Sequence, residues 1–231
     1  MDASKPFIYG INPRIIGEAG HSQNRPVSAV NDGICVYAAT FADYGQLGGA
    51  IVVFDPASEK IEAYRNFVRH QNPLTLFHHR KTGMLVGTTS VNADNGTCSP
   101  KAKQAFVFVW DTRLRKTVFK TAPWKMSSIH ACDLSEEGVL IGFDKERYFL
   151  FDAARRTMKV MEWRHGFISS GVFLNPSEFM GSSGDAVIVL DIAKNRLERK
   201  IKIKGMTIAE RFSERQALAI KNGLSIHLLT I

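Results

Sequence analysis

One phrase recurs along this chain and limits what it can fold into. A short apolar strand ends in a large apolar residue and then aspartate, a few turn residues follow, and a second β-prone strand comes next. The phrase stands as IVVFDPASEKIEAYR ending at Arg65, FVFVWDTRLRKTVFK ending at Lys120, RYFLFDAARRTMKVM ending at Met161, and AVIVLDIAKNRLERK ending at Lys200. Its marker aspartates are Asp55, Asp111, Asp152 and Asp191, at intervals of 56, 41 and 39 residues. A period near 40 with strand pairs inside it is the mark of small sheets set around an axis, a β-propeller.

Each repeat reads as four strands, a to d from the axis outward. Repeats fall at about 27–65, 74–121, 129–162, 169–203 and 207–231. In the first, Asn31, Asp32 and Gly33 supply the composition that a tight a–b hairpin needs, and Pro56 follows Asp55 at the c–d turn. In the second, an irregular insertion from Thr89 to Gln104 accounts for the long first interval. Long loops on rigid scaffolds are where function concentrates. In the fifth, Thr230 takes the place of the marker aspartate, so the fourth strand of that repeat is missing. The β-prone N-terminal piece, Phe7 to Gly10 and Arg14 to Ile16, precedes the first full repeat. Closure hides sheet edges, and the expectation is therefore an all-β chain, a five-bladed propeller of four antiparallel strands per blade, closed by an N-terminal strand. The competing reading is a piece of a longer propeller, cut at both ends.

At 231 residues the chain can bury roughly 70 % of its extended surface, and a single domain over 1–231 is expected. No run approaches the ~20 apolar residues of a membrane-spanning helix, so no membrane partner is expected. The N-terminus lacks the pattern of a secretory signal. The expectation is a cytoplasmic protein, or a secreted one whose signal preceded residue 1. Cys35, Cys98 and Cys132 are odd in number and have no CxxC spacing, which points away from a disulfide framework and from zinc. The net charge is +8. Its lysines and arginines gather after each marker aspartate and in the strand that follows, among them Arg113, Arg115, Lys116, Arg155, Arg156, Arg199, Lys200, Lys202 and Lys204. On an outermost strand they read as a solvated rim that blocks edge pairing. The alternative is a rim that binds a polyanion.

The stretch GGAIVVFDPASEKIEAY, with Gly48, Gly49, Asp55 and Pro56, resembles the bacterial β-propeller group that includes the YVTN, NHL, PQQ-repeat and gluconolactonase-like (SMP-30-like) propellers. The resemblance covers about four-fifths of the chain. Trp110-Asp111 also looks like WD40, although the Gly-His pair that precedes strand a in that family is missing. Gluconolactonase-like propellers hold a metal on the axis with side chains from different inner strands. The inner strands here carry His78, His130 and Glu210 without a matching set, so neither metal nor cofactor is expected.

In such propellers the b–c and d–a connections emerge on one face. Here they offer Tyr44, Gln46, His70, Gln71, Asn92, Asp94, Asn95, Trp124 and His165 as candidate ligand-binding residues. Amides, imidazoles and carboxylates hydrogen-bond hydroxyls, and indoles stack on sugar faces. Trp124 and Trp163 lie 39 residues apart, in equivalent places of consecutive blades. They form either a repeated ligand platform or the packing of one blade on the next. Adjacent His78 and His79 point to opposite faces of a strand, which disfavours a shared metal. The first functional expectation is a non-catalytic binding propeller whose partner is a small molecule, a glycan or a protein. The second is an enzyme acting on a carbohydrate or lactone, with Asp133, Glu136 and Glu210 as the nearest acid–base candidates.

Overall fold

The computed structural model describes residues 4–223 and 225–230. Five antiparallel sheets follow one another along the chain, and each is a meander with its strands in sequence order. The first holds β1 (Arg25–Asn31), β2 (Val36–Phe41), β3 (Ala50–Asp55) and β4 (Lys60–Arg65). The second holds β5 (Asn72–His79), β6 (Met84–Ser90), β7 (Val107–Asp111) and β8 (Lys116–Thr121). The third holds β9 (Ala131–Leu134), β10 (Val139–Phe143), β11 (Arg147–Asp152) and β12 (Thr157–Glu162). The fourth holds β13 (Ser170–Asn175), β14 (Glu178–Ser182), β15 (Ala186–Asp191) and β16 (Arg196–Lys202). The fifth has three strands, β17 (Met206–Ser213), β18 (Gln216–Lys221) and β19 (Ser225–Thr230). The expected third strand of this repeat, Leu224 to Ile231, has both end residues outside the described ones. Among the described residues no helix is long and apolar enough to cross a membrane.

These sheets are the blades of a β-propeller. Their first strands touch in series, β1 on β5, β5 on β9, β9 on β13 and β13 on β17, and no comparable contact joins β17 back to β1. Side chains on these inner strands tie one blade to the next. Ser28 Oγ accepts from the Leu76 N–H at 3.2 Å, Asp133 Oδ2 from the Phe173 N–H at 2.7 Å, and Ser170 Oγ from the Ile208 N–H at 3.0 Å. Apolar cores fill the gaps between blades. Tyr37, Ile51 and Trp110 pack between the first two, and Phe143, Tyr148 and Phe179 between the third and fourth.

The marker aspartates owe their place to the c–d turn. Asp111 Oδ1 accepts from the backbone N–H groups of Arg113 and Leu114 at 2.8 and 2.9 Å. Asp55 accepts from Ala57 N–H, Asp152 from Arg155 N–H and Asp191 from Lys194 N–H. An acceptor at this position satisfies turn donors that the ladder leaves free. Hydrogen bonds from the Ser58 hydroxyl to Asp55, and from the Lys194 ammonium to Asp191, hold both carboxyls below the usual range. Four residues after each aspartate the backbone turns left-handed, at Glu59 (φ 56°), Arg115 (53°), Arg156 (58°) and Asn195 (50°). Three of these side chains reach back to the preceding blade. Arg115 lies 5.8 and 5.9 Å from the rings of Tyr37 and Tyr64, Arg156 lies 5.6 Å from Phe119, and Asn195 Oδ1 accepts from Tyr148 OH at 2.6 Å. Burial pushes the Tyr148 phenol up to about 12.

Among the described residues the N-terminal segment contributes no strand to the fifth sheet. Residues 8–14 bridge among themselves, and the Arg14 guanidinium pairs with both carboxylate oxygens of Glu59 at the c–d turn of the first blade. The segment is fixed further along the same blade, where Asp43 N–H donates to Ser22 O and Thr40 Oγ1 donates to buried Gln23. These contacts hold it at the opposite end of the blade series from β19. Phe7, Ile8, Tyr9 and Ile11 are left exposed.

Two stability changes follow from this arrangement. Replacing Asp111 by Ala removes the acceptor for two turn amides and is expected to cost about 1–2 kcal/mol, with Asp111→Asn milder, as read from urea-unfolding midpoints. Gly142 lies where an added Cβ would sit 2.5 Å from His130 O and 2.5 Å from the Phe149 ring. Gly142→Ala is expected to destabilise by about 1–3 kcal/mol on the same assay.

Candidate functional site

Three connections of the first two blades meet on one face. They are the b–c loop of the first blade (42–49), the d–a connection (66–71) and the long b–c loop of the second blade (91–106). The long loop is ordered by a short 3-10 turn, Asp94–Gly96, with Asn95 left-handed at its centre. Arg25, at the start of β1, binds the loops together. Its guanidinium stacks 4.2 Å from the Tyr44 ring centre and pairs with the Asp94 carboxylate. Gly45 N–H donates to Thr97 Oγ1 at 2.9 Å, and Asn95 Nδ2 donates to Tyr44 OH at 3.3 Å. At the base, buried Asn72 donates from Nδ2 to Asn92 O at 2.9 Å.

Two adjoining hollows result. One, of about 520 Å³, is lined by Gly45, Leu47, Asn66, His70, Cys98, Ser99 and Lys101. The other, of about 480 Å³, is lined by Asn92, Ala93, Asn95, Gly96 and Pro100 of the long loop and shares Cys98 and Ser99 with the first. Arg25 and Asp94 neutralise each other at the margin. The walls present amides, a hydroxyl, an imidazole and an ammonium, a set suited to hydrogen-bonding a polar ligand.

The candidate residues divide accordingly. His70, Asn92 and Asn95 line these hollows, Tyr44 and Asp94 hold the surrounding loops through Asn95 and Arg25, and Gln46 lies in the same loop as Tyr44 with its N–H bonded to Asp43 O. Gln71 is only 1 % exposed. Its Nε2 donates to Gln104 O at 2.9 Å and its Oε1 accepts from Thr89, so its amide is committed to the loop base. Trp124 packs edge-on to Phe149 at 6.0 Å, with Arg147 4.7 Å from its ring. Trp163 is buried against Phe143 and Tyr148. Both indoles pack against aromatic rings of the blades, Trp163 buried and Trp124 half-buried. His165 stands apart, edge-on to Trp163 in a hollow between the third and fourth blades. Reading the sequence alone overlooked Arg25, Asn66, Ser99 and Lys101. Arg25 precedes the first recognised strand, and only the folded loops reveal its partners.

Two of the three acid–base candidates have partners of their own. Asp133 accepts from Phe173 N–H, while Glu136 pairs with Arg211, whose Nη1 also donates to Leu174 O. Glu210 is exposed. His79 is buried and hydrogen-bonds Thr82 Oγ1 at 2.9 Å through Nδ1.

No protein-family model matches the sequence. No curated protein shows significant similarity to it either. In fold the chain is similar to a component of a crystal structure of the mitotic checkpoint complex, with a TM-score of 0.64 at 8 % identity over 89 % of this chain and 60 % of that one. It is also similar to the WD40 repeats of RRP9, with a TM-score of 0.66 at 10 % identity over 91 % of this chain and 61 % of that one. A third similarity is to the Dos1 propeller, with a TM-score of 0.62 at 15 % identity over 85 % of this chain and 50 % of that one. These likenesses show the fold, a β-propeller, with WD40 repeats among the structures it resembles. The chain spans less than two thirds of the length of each of these three structures. The similarities do not single out the YVTN, NHL, PQQ-repeat or SMP-30-like groups.

Burial pushes the Asp133 carboxyl up to about 6, against the opposing pull of the Phe173 N–H bond. A folded-state value above the unfolded 3.8 means the native state holds the proton more tightly. The associated stability is full below about pH 4 and is lost as the pH rises through 6. Asp133→Asn keeps an oxygen for Phe173 N–H and removes this dependence. The stability of the variant relative to the parent is expected to rise by on the order of 2–3 kcal/mol between pH 4 and pH 7, measured by urea unfolding across that range.

Proposed function

We infer that this chain is a non-catalytic binding propeller that holds a polar loop of a protein partner in the paired hollows of its first two blades. The observation that carries this reading is the lock between the two b–c loops made by Arg25, Tyr44 and Asp94 together with the Gly45–Thr97 bond. Loops already fixed to one another lose less conformational freedom on binding. The propeller fold supports the reading as well, since one similar structure was solved within a multiprotein assembly.

A glycan is the weaker ligand for these hollows. Sugar recognition favours an open aromatic face, but Arg25 stacks on the Tyr44 ring and Trp124 is engaged by Phe149 and Arg147. The enzymatic alternative asks for ionisable groups converging on one pocket. Asp133 and Glu136 instead bond to neighbouring strands.

A photo-crosslinking residue at Ser99 tests the site, with the same residue at exposed Glu137 as control. The expected result is a discrete protein adduct from position 99, absent from position 137 and lost in the His70→Ala/Asn95→Ala background. Equal labelling from both positions, or an adduct indifferent to the double substitution, overturns the assignment.

A further inference from the structure

The two hollows of the first blades share a wall but differ in chemistry. The larger, of about 520 Å³, takes its polar side chains from Asn66, His70, Ser99 and Lys101, and no carboxylate lines it. Asn66 is held by its own N–H, which donates to Gly49 O at 3.2 Å. Its Oδ1 accepts from the His70 N–H at 3.2 Å, which leaves the Nδ2 group as a donor. Gly48, at φ 89°, makes room for this amide, since a Cβ there would collide with Asn66 Oδ1. The Ser99 hydroxyl is exposed and has no hydrogen-bond partner among the described residues. Lys101 has no ion-pair partner among them either, whereas Lys60 and Lys194 at the c–d turns are paired. Between Cys98 and Gln104 no backbone N–H donates to a backbone carbonyl.

The carboxylates of the surrounding loops are engaged elsewhere. Asp94 pairs with Arg25, and Asp43 Oδ1 accepts from the Tyr44 N–H at 2.8 Å. The smaller hollow has no acid and no cation in its lining. Unused donors gathered around one ammonium suit an acceptor that carries negative charge. A carboxylate and a phosphoryl group both qualify. A phosphoryl group brings about −1.5 to −2 charge and is commonly met by a cluster of arginines. No arginine lines either hollow, and Arg25 is held by Asp94. One lysine among neutral donors matches a single carboxylate.

We propose, resting on the loop-binding role of the paired hollows, that the partner's loop is acidic at its tip. An aspartate or glutamate of the partner enters the larger hollow. Its carboxylate accepts from Lys101 Nζ, Ser99 Oγ and Asn66 Nδ2, and a neutral polar neighbour occupies the smaller hollow beside Asn92 and Asn95.

The test titrates the full, isotope-labelled chain with cyclic peptides of sequence Gly-Asn-X-Gly-Ser-Gly, read from its backbone amide shifts. X is Glu, Gln, Lys or phosphoserine. The Glu peptide is expected to bind and to shift the amides of 98–104, with the Gln and Lys peptides weaker by about tenfold. Its binding is expected to weaken by about tenfold in Lys101→Gln and on raising salt from ~50 to ~300 mM. In Lys101→Glu the preference is expected to reverse toward the Lys peptide, and the Ser99 photo-adduct to be lost. Lys103→Gln, on the same loop but outside both linings, is expected to bind the Glu peptide as the parent does. Failure of all four peptides to shift 98–104 overturns the proposal, as does equal binding of the Glu and Gln peptides. An equal loss in Lys103→Gln reduces the attraction to general surface charge and overturns it too. Binding of the phosphoserine peptide about tenfold tighter than the Glu peptide reassigns the hollow to phosphoryl groups. A Ser99 adduct that forms in full and is unchanged in Lys101→Glu keeps the site and discards the acidic partner, whereas no adduct at all discards both.

Discussion

The structure depends most on the c–d turn and what it does to the blade before it. An aspartate caps the turn amides, the chain turns left-handed four residues later, and the side chain at that point reaches into the neighbouring sheet. One local event thus finishes a hairpin and couples two blades. The chemistry of the coupling varies, with arginine against aromatics at Arg115 and Arg156 and an amide accepting a phenol proton at Asn195, while the backbone geometry stays constant. The inner-strand bonds from Ser28, Asp133 and Ser170 make a second set of ties nearer the axis. Between these two sets lie the apolar cores, whose burial supplies most of the favourable free energy.

The fold was legible because this turn leaves a mark on the chain. Asp55, Asp111, Asp152 and Asp191 are conspicuous as residues, and the strands fall close to where the repeats place them. What stayed hidden was the closure. Phe7–Gly10 has the composition of a strand, and composition alone does not say which sheet it joins. The Arg14–Glu59 pair and the Ser22–Asp43 bond, contacts between distant parts of the sequence, keep that segment beside the first blade.

The candidate site was legible in part for the same reason. Loops could be assigned to one face from strand order, so Tyr44, His70, Asn92, Asp94 and Asn95 emerged together. Polarity could not separate residues that face solvent from those that hold the scaffold. Gln71 has the composition of a ligand contact, yet its amide fastens the loop base. Trp124 and Trp163 share a register, and that register reflects the packing period of the blades.

Each blade touches little beyond the sheets immediately before and after it, so order passes along the series link by link. The third blade is the middle link, and its Phe143, Tyr148 and Trp163 are shared with the fourth. A lesion at that junction would leave each end folded against its own neighbour while severing the mechanical connection between them. The first two blades, with their locked loops, would then turn as one body against the last two.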